Sequence, residues 1–205
     1  MSDAGFQCEV MSWKLFDELS QKVARNIIES GFHPDIIVGL ARGGWVLSRV
    51  LCDHLGVKDL LSLKVEHWGI TATPDGKAQI KYPFKIDLTG KKLLIVDDIT
   101  DTGESMIVAI KYLEELNPQE IKTAALRHIQ GSKYIPDYYG DEITWRWVVF
   151  PWNYIEDMCN IIPKIMEKSE SVEEIKQHLE SDYNIQLSNK EINKILGEIN
   201  RRKNM

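Results

Sequence analysis

Apolar positions along the chain fall into two alternating styles, short continuous runs and stripes at three-four spacing. Phe16, Leu19, Val23 and Ile27 form a stripe, with Ser12 as candidate N-cap and Gly31 as its stop, and predict a helix. Ile36-Ile37-Val38-Gly39-Leu40 is a continuous run, the pattern of a strand buried on both faces. A second helix is expected over 45–55, with Val46, Val50, Leu47 and Leu51 as inward candidates and Gly56 closing it. Residues 60–65 read as the next strand. Residues 66–82 break the alternation: they are polar, and Pro74-Asp75-Gly76 reads as a turn between partly extended arms. Lys92-Leu93-Leu94-Ile95-Val96 opens another buried strand. After it Met106, Ala109, Ile110, Leu113 and Leu116 predict a helix that stops before Pro118. Residues 121–126 follow as a strand, 131–140 as irregular chain, and 144–150 as a last strand broken by Pro151. A helix is expected over 153–168, with Pro163 as the place where it would split.

Strand and helix alternate through this body, which argues an α/β fold: a mostly parallel sheet flanked by helices. The pattern then changes. Ser171-x-x-Glu174 and Ser188-x-x-Glu191 are capping boxes, each opening a charged amphipathic helix. A boundary near Ser169 divides a body of residues 1–168 from a helical tail of residues 169–205. Two readings of the tail stand: an appendage packed on the body or on a neighbouring subunit, or a degenerate helix-turn-helix ending in Arg201, Arg202 and Lys203.

Composition narrows the class. The 43% apolar content of 205 residues supports a full core. A net charge of −6 argues against general affinity for nucleic acid or membrane surfaces. Cys8, Cys52 and Cys159 show no metal-ligand spacing, which fits a reducing compartment. With no leader pattern and no long apolar run, the sequence reads as that of a cytoplasmic protein.

The chemistry concentrates where the central apolar run meets Asp97-Asp98-Ile99-Thr100-Asp101-Thr102-Gly103-Glu104-Ser105. In an open parallel sheet, ligands bind at the carboxyl ends of strands. Adjacent carboxylates suit a vicinal diol, reached directly or through Mg²⁺-bound water. Backbone amides and three hydroxyls at a helix N-terminus suit a monophosphate. There is no G-x-x-x-x-G-K, so this is not a Walker A loop. Taken singly, each feature also fits a solvated strand end or a capped turn; the whole arrangement is far more specific.

Residues 94–105 resemble the signature of type I phosphoribosyltransferases, and the chain is similar to the purine-salvage, archaeal-like branch of that family over about residues 12–160. The resemblance implies that Asp97 and Asp98 bind the ribose hydroxyls of phosphoribosyl pyrophosphate (PRPP) and its Mg²⁺. It implies that Ile99, Thr100, Thr102, Gly103, Glu104 and Ser105 belong to the 5′-phosphate loop, with Asp101 as the catalytic acid-base group near N7 of the base. Ala41-Arg42-Gly43-Gly44 matches the pyrophosphate loop, where the family often has a non-proline cis peptide; Ala41–Arg42 is the candidate bond. Residues 66–82 match the hood, a lid that keeps water from an oxocarbenium-like transition state. Lys64 is placed to reach pyrophosphate. Lys77, Lys81 and His67 are hood candidates, the two lysines reading more readily as ordinary solvated side chains.

On the base side, residues 145–152 resemble the purine-stacking stretch of xanthine-guanine phosphoribosyltransferases. The match makes Trp147 the stacking ring, Val148 a backbone partner of the base edge and Trp152 a pocket wall; alternatively these aromatics are core. The family's O6-binding lysine is missing, with Ile129 in its place and Arg127, His128 and Lys133 as possible substitutes. The expected partners are PRPP and a purine base, hypoxanthine or guanine first and xanthine next, in a homodimer or homotetramer. The rival readings are a transferase for adenine, orotate or uracil, and a non-catalytic PRPP or nucleotide sensor.

Overall fold

A computed structural model describes residues 6–67, 78–167 and 171–205. The chain forms two compact units, one of Lys14–Trp145 and one of Met1–Trp13 with Arg146–Met205. In chain order the elements begin with β1 (Cys8–Val10), α1 (Trp13–Glu29), β2 (Ile36–Ala41), α2 (Gly44–Leu55), β3 (Asp59–His67) and β4 (Ala78–Ile80). They continue with β5 (Lys92–Thr100), α3 (Glu104–Glu114), β6 (Glu120–Ile129), β7 (Tyr138–Ile143) and β8 (Trp147–Val149). The helices α4 (Tyr154–Met166), α5 (Val172–Tyr183) and α6 (Asn189–Lys203) complete the chain.

The larger unit carries a six-stranded sheet in the order β4-β3-β2-β5-β6-β7. All its pairings are parallel except that of β4, which returns antiparallel along β3. β5 is interior, and Leu93, Leu94, Ile95 and Val96 are fully buried. Strand alternation sorts the side chains. Ile36, Val38 and Leu40 of β2 and Leu93 and Ile95 of β5 share one cluster with Met106, Ala109 and Leu113 of α3. The opposite face meets α2, where a Cβ on Gly39 would lie 2.5 Å from the Ser48 hydroxyl. The inward face of α2 is Leu47, Ser48, Leu51 and Cys52, whereas Val46 and Val50 are only partly buried. Its first residue explains the rotation: a Cβ on Gly44 would lie 2.7 Å from the Asp97 Cα, so the helix start is pressed on the backbone of β5.

Two strands depart from the sequence pattern. The edge strand of the sheet is β7, within and beyond the segment expected to be irregular. The strand expected over 144–150 shrinks to β8, which leaves this sheet and pairs in parallel with β1. Trp145 lies outside β8 and is exposed, so it shares no strand face with Trp147.

In the smaller unit β1 and β8 pack with α4, α5 and α6 around Val149, Met158, Ile161, Ile162, Leu179, Ile192 and Ile195. Pro163 does not divide α4, whose Ile161, Ile162 and Ile165 stay buried on either side of it. Both capping boxes are formed, Ser171 with Glu174 and Ser188 with Glu191. The boundary expected near Ser169 falls outside the described residues. No helix among the described residues is long and apolar enough to cross a membrane.

Candidate active site

The sheet's own register builds a notch at the carboxyl ends of its strands. β2 pairs with β5 only as far as Gly39 against Val96, while β5 stays paired with β6 through Thr100 against His128. The loop leaving β2 therefore turns beside the unpaired flank of β5, at Asp97 and Asp98. The backbone there includes a cis peptide between Ala41 and Arg42. Arg42 is exposed at the turn.

Because β5 is still extended at its acids, alternation sends them to opposite faces. Asp98 follows Leu94 and Val96 toward α2. Its carboxylate lies so close over Gly43 that a Cβ there would overlap both carboxylate oxygens. Asp97 follows Leu93 and Ile95 toward the α3 side. The Asp98 amide donates to Asp97 Oδ1 at 2.9 Å, which ties the pair together. Loss of solvation holds the Asp97 carboxyl well above the usual carboxylate range, and the neighbouring Asp98 charge adds to the shift.

Beyond the strand, the chain bends through Asp101 and Thr102 to Gly103, whose φ of 80° is left-handed and favours glycine. Gly103 caps α3 without a side-chain acceptor. Thr102 Oγ1 accepts from the Glu104 amide at 3.3 Å. Ser105 is half-buried in the first turn, and Asp101 stands exposed at the mouth. Thr100 differs from its neighbours. Its hydroxyl is buried and meets His128 Nδ1 at 2.9 Å, so it braces β5 on β6 and is not turned into the loop. Ile99 sits opposite Arg127 in the ladder.

Lys64 is the ladder partner of Ala41, which puts it beside the Arg42 turn. Its ammonium lies 3.4 Å from Glu66, and that of Lys81 lies 2.9 Å from the same carboxylate. Sequence reasoning passed over Glu66, although its i, i+2 spacing from Lys64 on a strand already put the two on one face. Lys77 and the His67 side chain lie outside the described residues.

Each acceptor-side substitute has a partner within the larger unit. Ile129 is buried at the end of β6. The buried Arg127 pairs with Asp141 at 3.1 Å, and His128 holds Thr100. Lys133 is ion-paired to Glu104 at 2.6 Å, a contact between the first turn of α3 and a turn that the sequence showed only as irregular. Trp147 and Val148 belong to the smaller unit. There Trp147 packs at 5.9 Å on Phe6, and Val148 is buried opposite Glu9 in the ladder. Trp152 is stacked on Phe150, ring centres 4.9 Å apart.

The site suits Mg²⁺ in a particular way. Among the described residues no group of three or more His, Cys, Asp or Glu side chains forms a cage. Two adjacent carboxylates without a third such ligand grouped beside them fit a cation that brings most of its ligands as water and substrate oxygens.

Comparison with known proteins agrees with this geometry. The family model described as the phosphoribosyl transferase domain matches residues 9–157. The chain is 25% identical over 153 residues to a xanthine-guanine phosphoribosyltransferase of Idiomarina loihiensis, covering 73% of this chain and 91% of that protein. It is 30% identical over 151 residues to the hypoxanthine-guanine phosphoribosyltransferase of Canis lupus familiaris, covering 66% of this chain and 68% of that one. Among solved structures, a purine phosphoribosyltransferase from Pyrococcus horikoshii superposes with a TM-score of 0.63 at 32% identity, over 71% of this chain and 93% of that one. With a family match that spans residues 9–157, including the Ala41–Gly44 turn, β5 and the loop that follows it, the chain belongs to the phosphoribosyltransferases.

Proposed function

We propose that the protein transfers the 5-phosphoribosyl group of PRPP to N9 of a 6-oxopurine, giving a nucleoside 5′-monophosphate and pyrophosphate. Hypoxanthine and guanine are the first candidates, and xanthine is the next. One observation carries this reading: the Asp98 carboxylate lies directly on Gly43, so the diol-binding acids and the pyrophosphate loop form one packed site. The named purine enzymes among the relatives support the choice of base.

Each residue has a part in the reaction. The 97–98 acids hold the ribose hydroxyls, and the 100–105 loop with the α3 N-terminus holds the 5′-phosphate. Gly43 and Gly44 lack a Cβ, which lets their turn pack on Asp98 and the β5 backbone; their amides donate to the pyrophosphate, and Arg42 and Lys64 add positive charge. Held at both ends, the sugar presents C1′ to the base. The bond from C1′ to the pyrophosphate oxygen breaks as the bond to N9 forms, and the purine proton passes to Asp101. Asp97 and Asp98 would hold Mg²⁺, which supplies charge neutralisation for the leaving pyrophosphate. Trp147 and Val148 are the base-side residues that the family resemblance implies.

The test is direct. Full-length protein is incubated with PRPP, Mg²⁺ and each of hypoxanthine, guanine, xanthine, adenine, uracil and orotate, and nucleotide and pyrophosphate are quantified. Product with 6-oxopurines is expected. Product only with adenine or a pyrimidine would overturn the acceptor, and no product with any base would overturn the transferase reading.

A further inference from the structure

The phosphate loop of this chain contains a charge that works against its own ligand. Glu104 is the first residue of α3, next to the glycine that caps it. A carboxylate within a phosphate cradle opposes an incoming dianion. The opposing cation comes from the turn after β6. Lys133 Nζ lies 2.6 Å from Glu104 Oε1, and the Lys133 amide donates to the Thr102 carbonyl at 3.1 Å. The same turn is in close approach to the loop: a Cβ on Gly103 would lie 2.7 Å from the Tyr134 amide nitrogen and 2.8 Å from the Ser132 hydroxyl. Lys133 is thus fixed by its backbone to the loop residues that hold the phosphate.

We propose that Lys133 is a 5′-phosphate ligand that leaves Glu104 for the phosphate when substrate binds. The inference rests on the reading of residues 100–105 as the 5′-phosphate loop. Its chemistry favours the exchange. The Lys133 side chain is 66% exposed, so its ammonium can swing about an anchored backbone with little packing lost. An exposed Lys–Glu pair is worth only about 0–1 kcal/mol, and a charge-assisted bond to a phosphate dianion is stronger. Before binding, the pair neutralises Glu104. After binding, the ammonium pairs with the phosphate instead, and the half-exposed Glu104 carboxylate turns to water.

Two variants separate a ligand from a mere neutraliser. Titration calorimetry with GMP and with guanosine isolates the contribution of the 5′-phosphate. Lys133→Met should weaken GMP by about tenfold and leave guanosine unchanged. Glu104→Gln should tighten GMP a few-fold. In the double variant, GMP affinity should stay about tenfold below that of Glu104→Gln alone. Recovery of the Glu104→Gln affinity in the double variant would mean that Lys133 only neutralises Glu104, and would overturn the proposal. If wild type binds GMP and Lys133→Met binds it equally well, the proposal fails while the phosphate-loop reading survives. If wild type does not distinguish GMP from guanosine, both fall together.

Discussion

Gly43 is the residue on which the proposed donor site depends most sharply. No side chain fits between its backbone and the Asp98 carboxylate. Gly43→Ala therefore has to displace that carboxylate, the turn, or both, at the cost of about 1–3 kcal/mol typical of overpacking. We expect PRPP affinity to fall by about tenfold or more while circular dichroism stays native, because the fault is local to one edge of the sheet. Asp101 behaves differently. It is exposed and lies outside the packed pair, so Asp101→Asn should keep PRPP affinity and lose kcat by about 100-fold or more, the usual scale of a general acid-base group. Pre-steady-state kinetics with PRPP binding measured separately checks this; a parallel loss of PRPP binding would move Asp101 into the cradle. Cys8 is a residue with no such part. Burial pushes its thiol up to about 12, so at pH 8 it should resist alkylation in the native protein and react after denaturation, as mass spectrometry can show.

Elements were legible where their pattern stands alone and hidden where a neighbour supplies it. β5 and its loop could be read directly, because an apolar run into paired acids has few other uses. The cis bond at Ala41–Arg42 was anticipated from the family resemblance, not from residue patterning. β7 was hidden because its inward positions are Tyr138 and Gly140, and a Cβ on Gly140 would lie 3.0 Å from Leu19 Cβ. Where a helix packs that closely, glycine replaces the β-branched residue that would have signalled a strand. The α2 face was read correctly at Leu47 and Leu51 but not at Val46 and Val50, because backbone contact at Gly44, invisible in side-chain periodicity, sets its rotation. The capping boxes of α5 and α6, by contrast, are local chemistry and were readable from four residues each. At the far end of α6, Glu198 accepts from both Arg201 and Arg202, and these bonds depress its carboxyl to about 2. A depressed folded value gives a contribution that is full above the unfolded value near 4.5 and is lost as pH falls through about 2. Glu198→Gln should therefore lower Tm slightly at pH 6, with the gap to wild type closing by pH 2. The group is exposed, so the gap should also shrink in high salt.

At the scale of the molecule, the family match ends at residue 157, yet described residues beyond it pack into the core of the smaller unit. The hydrophobic cluster of the smaller unit draws Met158, Ile161, Ile162 and Ile165 from α4 and sets them against Ile175, Leu179, Ile192, Ile195 and Ile199 from α5 and α6. Helices of 12 and 15 residues with net hydrophilic sequences would not hold alone in water, so the packed face supplies most of their stability. The dependence is mutual: the tail covers the apolar side of α4, and α4 together with β1 and β8 gives the tail its core. Two interventions of different size test this. Leu179→Ala empties one fully buried position and should cost about 2–5 kcal/mol, read as a lower Tm with a native spectrum. Ending the chain after Glu167 removes more than half of the cluster's buried residues at once and uncovers the four buried α4 side chains. That truncation should give protein that aggregates or binds a hydrophobic dye, as seen by size-exclusion chromatography and dye fluorescence. A monodisperse, dye-negative truncation would mean that α4 needs no cover, and that residues 171–205 are a separable appendage rather than part of the unit that carries β8.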